Sequence, residues 1–378
     1  MPQDEREEFF YDLVVGVCAD CSMVQQANEV PPGAMFHADY PYRSSGSAVM
    51  RKHFDAVARH FLDAELTGAD PFIVEIGSND GVMLRTVSDA GVRHLGVEPS
   101  GGAAEVASAH GVDVVNAFFD EDTAQRVRAE HGPADVVFSA NTFSHIADLG
   151  SILRGVDALL TPTGVFVFED RYLADIVDNS AFDQIYDEHF YLFSATSVRE
   201  LALRSGFELV DVERLSVHGG AIRYTVARAG ARTPSPSVAG MIAEESARGL
   251  FAPSTFERFA DDVRRIRADL VDLLTGIRAE GKTVVGYGAT AKSATAINYC
   301  GITPELVPYI CDSTPEKHGR LSPGARIPVR APGAFGPPYP DYALLFAWNH
   351  ADEIMAKERA FREAGGRWVL YVPDVHIV

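Results

Sequence analysis

The chain has 378 residues, in which 33 Lys and Arg face 53 Asp and Glu, for a formal charge of -20 at pH 7. Neutralising a polyphosphate backbone takes clustered Lys and Arg, so this acidic balance argues against DNA or RNA as a partner. Apolar residues make up 47% but nowhere form the run of roughly 20 that spans a bilayer, and the length calls for two or three packed units rather than one core.

The start, MPQDEREEFFYDLVVG, carries charge of the wrong sign for a signal peptide and lacks a small-residue cleavage site. With 4 Cys in so long a chain, a disulfide framework is not expected and the cytoplasm is the expected compartment. No internal repeat or low-complexity tract interrupts the chain, which removes solenoid and disordered readings.

Residues 1–44 hold a strand-like stretch, FFYDLVVGVC, then Cys18-Ala-Asp-Cys21, a Pro-Pro-Gly turn and an aromatic, hydroxyl-rich HADYPYRSSGS. This is too little for a core of its own. From Met50 to about Arg228, short apolar strands (PFIVEIG, HLGVEP, VDVVNAFF, ADVVFSANT, GVFVFED) alternate with amphipathic helices, the pattern of a parallel sheet covered on both faces. FELVDVERL and GGAIRYTVAR read as an antiparallel pair at one edge. After the polar linker ARAGARTPSPS come two helical stretches and a second strand-turn-helix opening, KTVVGYGATAKSATAINYC, followed by strands at LVPYICD, DYALLFAW and RWVLYVPD. The chain is thus expected to be α/β: a segment over 1–44, a first Rossmann-like domain over 45–235 and a second, smaller one over 236–378.

The sharpest local motif is VEIGSNDGVML, where Glu75, Gly77, Asn79 and Gly81 leave a strand and enter a helix. Gly at such a turn permits positive φ and close approach of a ligand to the backbone. The spacing G-x-x-x-G is not the dinucleotide fingerprint; it suits S-adenosylmethionine (SAM), which has no pyrophosphate. Glu98, at the end of the next strand, is placed to accept ribose hydroxyls. The plain alternative is that the glycines only close a turn and Glu98 caps a helix. Asn116 and Phe118, and Ala140, Asn141 and Phe143, end later strands on the same rim, although an aromatic residue there is often ordinary core.

Past the strand ending in Glu169 and Asp170, Tyr186, Asp187, Glu188 and His189 gather a phenol, two carboxylates and an imidazole. An imidazole titrating near neutrality is suited to removing a proton, and a carboxylate beside it can orient it. His145 and Tyr40 are outlying candidates, each of a kind more often structural when taken singly. In the last domain the turn from Gly286 to Ser293, with Tyr287, Lys292 and Ser293, follows a strand and precedes a helix, so its N–H groups with Lys292 and Ser293 suit a diphosphate. It lacks the full P-loop spacing, which speaks against an ATPase.

With these residues in hand, the chain resembles the nucleotide-sugar C-methyltransferases that build branched deoxysugars for bacterial natural products. The likeness runs nearly end to end and includes CADCSMVQ, YPYRSSGS, EIGSNDG, GVEPS, FDQIYDEHFYLFSATS, GYGATAKSAT, FAWNHADEIMAKE and YVPDVHIV. It is particularly similar to the enzymes that methylate carbon 3 of thymidine-diphosphate (TDP) 3-amino-4-keto sugars in the tetronitrose and kijanose pathways. The resemblance implies a small zinc-binding module, a central SAM domain and a C-terminal Rossmann-like domain, with the sugar nucleotide between the last two. It further implies His189 as base, Glu188 and Tyr186 in support of it, and Tyr40 and His145 lining the sugar site; SAM is the expected cofactor, and a monomer acting without membrane or nucleic acid is expected. The family's N-terminal module uses two Cys-x-x-Cys pairs, whereas only Cys18 and Cys21 stand there in this chain, an incomplete set for tetrahedral zinc; Cys300 and Cys311 lie in the distant C-terminal part. The chain is therefore expected to begin beyond the place of a first pair.

Rival readings are a SAM-dependent O- or N-methyltransferase on a sugar or small molecule, an NAD-dependent sugar oxidoreductase on two Rossmann-like units, and a binding protein that kept the fold without activity.

Overall fold

The computed structural model describes residues 8, 10–36, 40 and 42–378; residues 37–39 and 41 of the HADYPYRSSGS stretch lie outside it. The chain forms two compact units, each assembled from separate stretches: one comprises Val14–Leu173 and Glu188–Leu250, the other Met1–Leu13, Ala174–Asp187 and Phe251–Val378.

The first unit opens on a hairpin of β1 (Val15–Val17) and β2 (Val24–Gln26), with Cys18 and Cys21 at its turn. Its main sheet uses β3 (Phe72–Ile76), β4 (Arg93–Val97), β5 (Val114–Val115), β6 (Ala134–Ala140) and β7 (Leu160–Arg171). Two further strands, β9 (Phe207–Leu215) and β10 (Ala221–Arg228), complete it, and the short β8 (Tyr191–Leu192) instead pairs with β2. The order is β5-β4-β3-β6-β7-β10-β9. The strands through β7 run parallel, and β10 is antiparallel to both β7 and β9. Every residue of β3 is buried, as expected for a strand covered on both faces. The helix Ala48–Ala64 begins at Ser47, whose hydroxyl accepts from the Met50 amide, and it buries Met50, Phe54, Val57 and Phe61. Spaced at i, i+4, i+7 and i+11, these residues form one stripe, which packs with Ile73, Val136 and Phe138 of the sheet.

In the second unit the order is β13 (Val329–Arg330), β12 (Ile310–Cys311), β11 (Val284–Tyr287), β14 (Tyr342–Leu345), β15 (Arg367–Leu370) and β16 (His376–Ile377), all parallel save β16. Leu270, Leu274 and Ile277 of the helix Pro253–Ala279 pack against Val284, Ile310, Leu344 and Val369. The same cluster takes in Ala181 and Phe182, which explains why the Ala174–Asp187 stretch belongs to this unit.

In both sheets the chain steps outward from a central strand and then resumes on its other side, between β3 and β6 in one and between β11 and β14 in the other. Such switch points open crevices at the carboxyl ends of the strands, where ligands of open α/β sheets bind. No described helix is long and apolar enough to cross a membrane.

Candidate active site

The glycine turn after β3 lies at the first switch point. Gly77, Asn79 and Gly81 all have positive φ, and a side chain at Gly77 would collide with Thr142, so glycine is required there on two counts. Glu98, at the end of β4, accepts from the Asn79 amide at 2.8 Å and the Ser100 amide at 2.7 Å. Burial pushes its carboxyl up while those two N–H groups pull it back. Glu75 is buried and its Oε2 has no hydrogen-bond partner among the described residues. Burial first, then the charges of Asp80, Glu98 and Glu169, hold its carboxyl well above the ordinary range. A buried, underused carboxylate beside a glycine turn and a ribose-competent acid fits a cationic nucleoside such as SAM, which supplies a sulfonium to offset the carboxylates.

The other rim residues divide. Asn116 closes the β4 exit by donating to the carbonyl of Glu98 at 2.7 Å, and Phe118 is exposed on the rim. Asn141 has positive φ after Ala140, and its Oδ1 has no hydrogen-bond partner among the described residues. Phe143 differs, because its ring is buried among Phe166, Phe168 and Phe193. Its side chain is core, and it lies near the rim by its backbone alone.

The catalytic candidates of the first unit converge although the chain separates them widely. His189 is buried and its ring stacks on His145, centroids 5.3 Å apart and planes 26° from parallel. His145 stacks in turn on Phe36 at 5.7 Å. The Tyr40 hydroxyl donates to Glu188 at 3.1 Å, and the His189 carbonyl accepts from Gln26 at 2.8 Å. Burial, and secondarily the Arg171 guanidinium, push the His145 imidazole down to about 3, so it stays neutral in the working range. Tyr186 is buried, on the far side of the point where the chain passes from one unit to the other.

The segment after Tyr40 links this group to the SAM rim. The Ser44 amide donates to Asn79 at 3.0 Å, the Ser45 hydroxyl donates to Asp80 at 2.6 Å, and the Asn79 amide group donates to the Tyr42 carbonyl at 3.3 Å. One short stretch thus touches Glu188 at one end and the glycine turn at the other.

Sequence reasoning passed over the groups that hold this array. Asp170 accepts from the amide and hydroxyl of Ser144, at 2.9 and 2.8 Å, and so fixes the turn bearing His145. Glu169 meets His53 at 2.6 Å and Arg223 at 2.6 Å. Burial works to raise its carboxyl, but these two partners prevail and lower it. Both acids end a strand beside the rim, which was their only signal.

In the second unit, Thr290 caps the helix Ala291–Cys300. Lys292 donates to Asn349 at 2.6 Å and lies over the Trp348 ring at 5.4 Å. Ser293 spends its hydroxyl on the Thr290 carbonyl at 2.5 Å, inside the cap. Tyr287 does not face the turn: its ring packs with Phe335 and Trp368, and its hydroxyl donates to Glu358 at 2.7 Å. The expectation that its side chain meets substrate is therefore corrected to a core role. Two residues missed from the sequence, Asp312 and Lys317, flank the turn instead. Asp312 accepts from the amides of Ala289 and Thr314, each at 2.7 Å, the same pattern that Glu98 makes with Asn79 and Ser100. Lys317 donates to the Ala289 carbonyl at 2.9 Å. Gly286, Gly288 and Ala291 stand at the G-x-G-x-x-A spacing with an acid ending the next strand, a readable nucleotide-site signal.

Cys18 and Cys21 sit in one turn as free thiols, and no group of three or more potential ligands forms among the described residues. Two thiols do not fit the four-ligand demand of structural zinc, so no role is assigned to a metal.

Residues 49–212 match the family model of a methyltransferase domain and residues 216–373 that of a C-methyltransferase C-terminal domain. The C-methyltransferase NovU of Streptomyces niveus is 37% identical over 379 residues, covering 99% of this chain and 89% of that protein. A ubiquinone biosynthesis O-methyltransferase of Methylobacterium sp. is 30% identical over 117 residues, 30% of this chain and 47% of that one. Among solved structures, the magnesium protoporphyrin IX methyltransferase of Synechocystis, with bound SAM, aligns at a TM-score of 0.36 and 12% identity over 47% of this chain and 79% of that one.

Proposed function

The chain belongs to the family of SAM-dependent C-methyltransferases, and on that premise we propose that it methylates carbon 3 of a TDP-linked 4-keto, 3-amino deoxysugar. The observation that carries this reading is the single stretch from Tyr40 to Ser45, which touches Glu188 and the glycine turn together. This supports a reading in which the buried imidazole of His189, next in the chain to Glu188, works near the rim where the methyl donor belongs.

A 4-keto group acidifies the hydrogen on carbon 3, so a base of modest strength suffices. His189 takes that proton, leaving an enolate whose charge spreads onto the carbonyl oxygen. The neutral His145 stacked on it favours this step, since a cationic neighbour would oppose charging the imidazole. Tyr40, held by Glu188, lines the sugar face, and Tyr186 supplies a hydroxyl for the enolate oxygen. When bound, SAM would supply an electrophilic methyl to carbon 3, its S–CH3 bond breaking as the carbon-carbon bond forms and S-adenosylhomocysteine departing as the neutral thioether. Glu98 would hold the ribose, Glu75 would serve as counter-charge to the sulfonium, and Asn79, Asn116, Phe118, Ala140 and Asn141 would complete the wall. In the second unit Lys292, with Lys317 and Asp312, offers groups suited to a diphosphate and a nucleoside.

His189→Asn is expected to bind SAM normally by calorimetry, to lose at least about a hundredfold in kcat, and to abolish hydrogen exchange at carbon 3 in deuterated water without SAM. Near-normal turnover by this variant removes His189 from the base role. Equal turnover of the 4-keto substrate and its reduced 4-hydroxy analogue would instead favour methyl transfer to oxygen or nitrogen.

A further inference from the structure

Asp183 is fully buried in the second unit. Its Oδ2 accepts two hydrogen bonds, from the Trp348 indole at 2.8 Å and from the Tyr371 hydroxyl at 2.5 Å. Its Oδ1, equally buried, has no hydrogen-bond partner among the described residues. A carboxylate is an unfavourable occupant of an apolar cluster, and here burial pushes its carboxyl up while Lys292 and the two donors work against that. An apolar side chain of similar size would fill the space with less penalty, so an acceptor oxygen here calls for a role in holding something.

What it holds is the stretch leading to the proposed base. On one side of Asp183, the Phe182 ring packs by Tyr299 and Tyr371, centroids 5.3 and 6.2 Å away. On the other side, the Ile185 carbonyl accepts from Thr295 at 3.2 Å. Beyond Asp187 the chain passes to the other unit, beginning at Glu188. The stretch from Tyr186 to His189 belongs to no helix or strand, so its course depends on how its two ends are held. Its far end is held in the first unit by the Gln26 bond to His189 and the pairing of β8 with β2. Its near end is held by Asp183. Trp348, one of the two donors, also lies beneath the Lys292 ammonium, and the adjoining Asn349 accepts from that ammonium.

We infer that Asp183 is a positioning residue: through Trp348 and Tyr371 it anchors the loop that bears Tyr186 and His189, and ties that loop to the turn bearing Lys292. This rests on the reading of His189 as the base.

The test uses the full-length protein as wild type, Asp183→Ala, Asp183→Asn and Tyr371→Phe. Misplacing a reacting group by about 1 Å can lower a rate by about a hundredfold, so Asp183→Ala is expected to lose about thirty- to a hundredfold in kcat while its SAM affinity stays within about twofold. Asparagine keeps an oxygen acceptor and is expected to restore kcat to within about fivefold of wild type. Tyr371→Phe deletes one hydrogen bond of roughly 0.5–1.5 kcal/mol, which corresponds to about a two- to tenfold lower kcat. Carbon-hydrogen exchange without SAM should fall in the same ratios. A second readout needs no substrate: in protein labelled with carbon-13 histidine, the His189 ring signal, assigned through His189→Asn, should shift or broaden in Asp183→Ala and Tyr371→Phe while the His94 signal stays in place. An inert wild type refutes the ketosugar reading, and the ring signal then decides on Asp183 by itself. Should Asp183→Ala not fold, Tyr371→Phe and the asparagine variant decide. Wild-type kcat with an unmoved His189 signal in the variants that fold overturns the anchoring role, as does loss of SAM affinity in step with kcat.

Discussion

Glu75 is the residue whose placement is hardest to justify by folding alone. Its carboxyl is held up by burial and by three neighbouring acids, so the folded state keeps a proton that the unfolded chain has released. A raised folded pKa contributes stability below the ordinary carboxylate range of about 4.3, and that stability is lost as pH rises towards the folded value. Glutamine at this position escapes the loss. In the absence of SAM, Glu75→Gln and wild type are therefore expected to melt together near pH 4, the variant then gaining as pH climbs to 8. The gain of about 1–3 kcal/mol for relieving an unsatisfied buried group corresponds to roughly 2–10 °C at domain size. Scanning fluorimetry across that range checks it, and parallel melting curves would sink the idea. On the proposed reading, in which the sulfonium draws the proton off Glu75 and leaves a counter-charge, the same variant should bind SAM at least about tenfold more weakly. Glu75, Gly77 and Glu98 stood out as candidates in the sequence because strand ends and glycine spacing are visible there directly. The Tyr287 side chain was not. On β11 it shares a face with Val285, while Val284 packs into the opposite cluster, and which face of a covered strand meets a ligand is decided by what packs on it.

Between elements, the clearest device is Glu245 on the helix Pro236–Ala247. It is fully buried and accepts from the amides of Ala195 and Thr196, at 2.7 and 2.9 Å, and from the Thr196 hydroxyl at 2.5 Å. It thereby caps the start of the helix Ala195–Arg204, where an anion meets both unpaired N–H groups and the positive end of the helix dipole. Deleting it strands three donors, so Glu245→Ala is expected to destabilise the first unit by about 2–4 kcal/mol, read as a lower urea midpoint. A shift below about 0.5 kcal/mol would show that water replaces the carboxylate at no loss. The polar linker ahead of this helix suggested a border in the sequence, yet the helix packs with the first unit. Alternation of strands and helices made most of the two sheets readable, including the antiparallel pair of β9 and β10. The shortest strands escaped or shrank: VDVVNAFF contributes only Val114–Val115, and Val329–Arg330 went unnoticed. Two-residue strands owe their existence to the ladder of a neighbour, which no local pattern announces.

At the scale of the whole molecule, the chain passes between the two units four times, after Leu13, Leu173, Asp187 and Leu250. The short excursion 174–187 matters most, because Ala181 and Phe182 are buried in the cluster built by Leu270, Leu274 and Ile297. A fragment spanning 14–250 would carry this stretch without its cluster. Exposing an aromatic side chain of the Phe182 kind forgoes roughly 1.5–3 kcal/mol of burial and leaves an adhesive patch. That fragment is expected to bind a hydrophobic dye and to associate at micromolar concentration. Leaving the excursion is structurally simple, since the Leu173 amide donates to the Phe193 carbonyl at 2.8 Å and Tyr172 bridges to Phe193, so the two ends of the first unit already lie side by side. Replacing 174–187 by a short Gly-Ser linker should therefore yield a monodisperse fragment that still binds SAM, because the proposed SAM residues Glu75, Gly77, Gly81 and Glu98 all lie within it. The same fragment lacks Tyr186 and the Asp183 anchor, so neither methyl transfer nor carbon-3 exchange is expected of it. Sedimentation, dye fluorescence and SAM calorimetry on the two fragments check each step. Equal behaviour of the two in sedimentation and dye binding would mean that the excursion does not depend on the second unit. Failure of the linker form to bind SAM would mean that the first unit does not fold by itself.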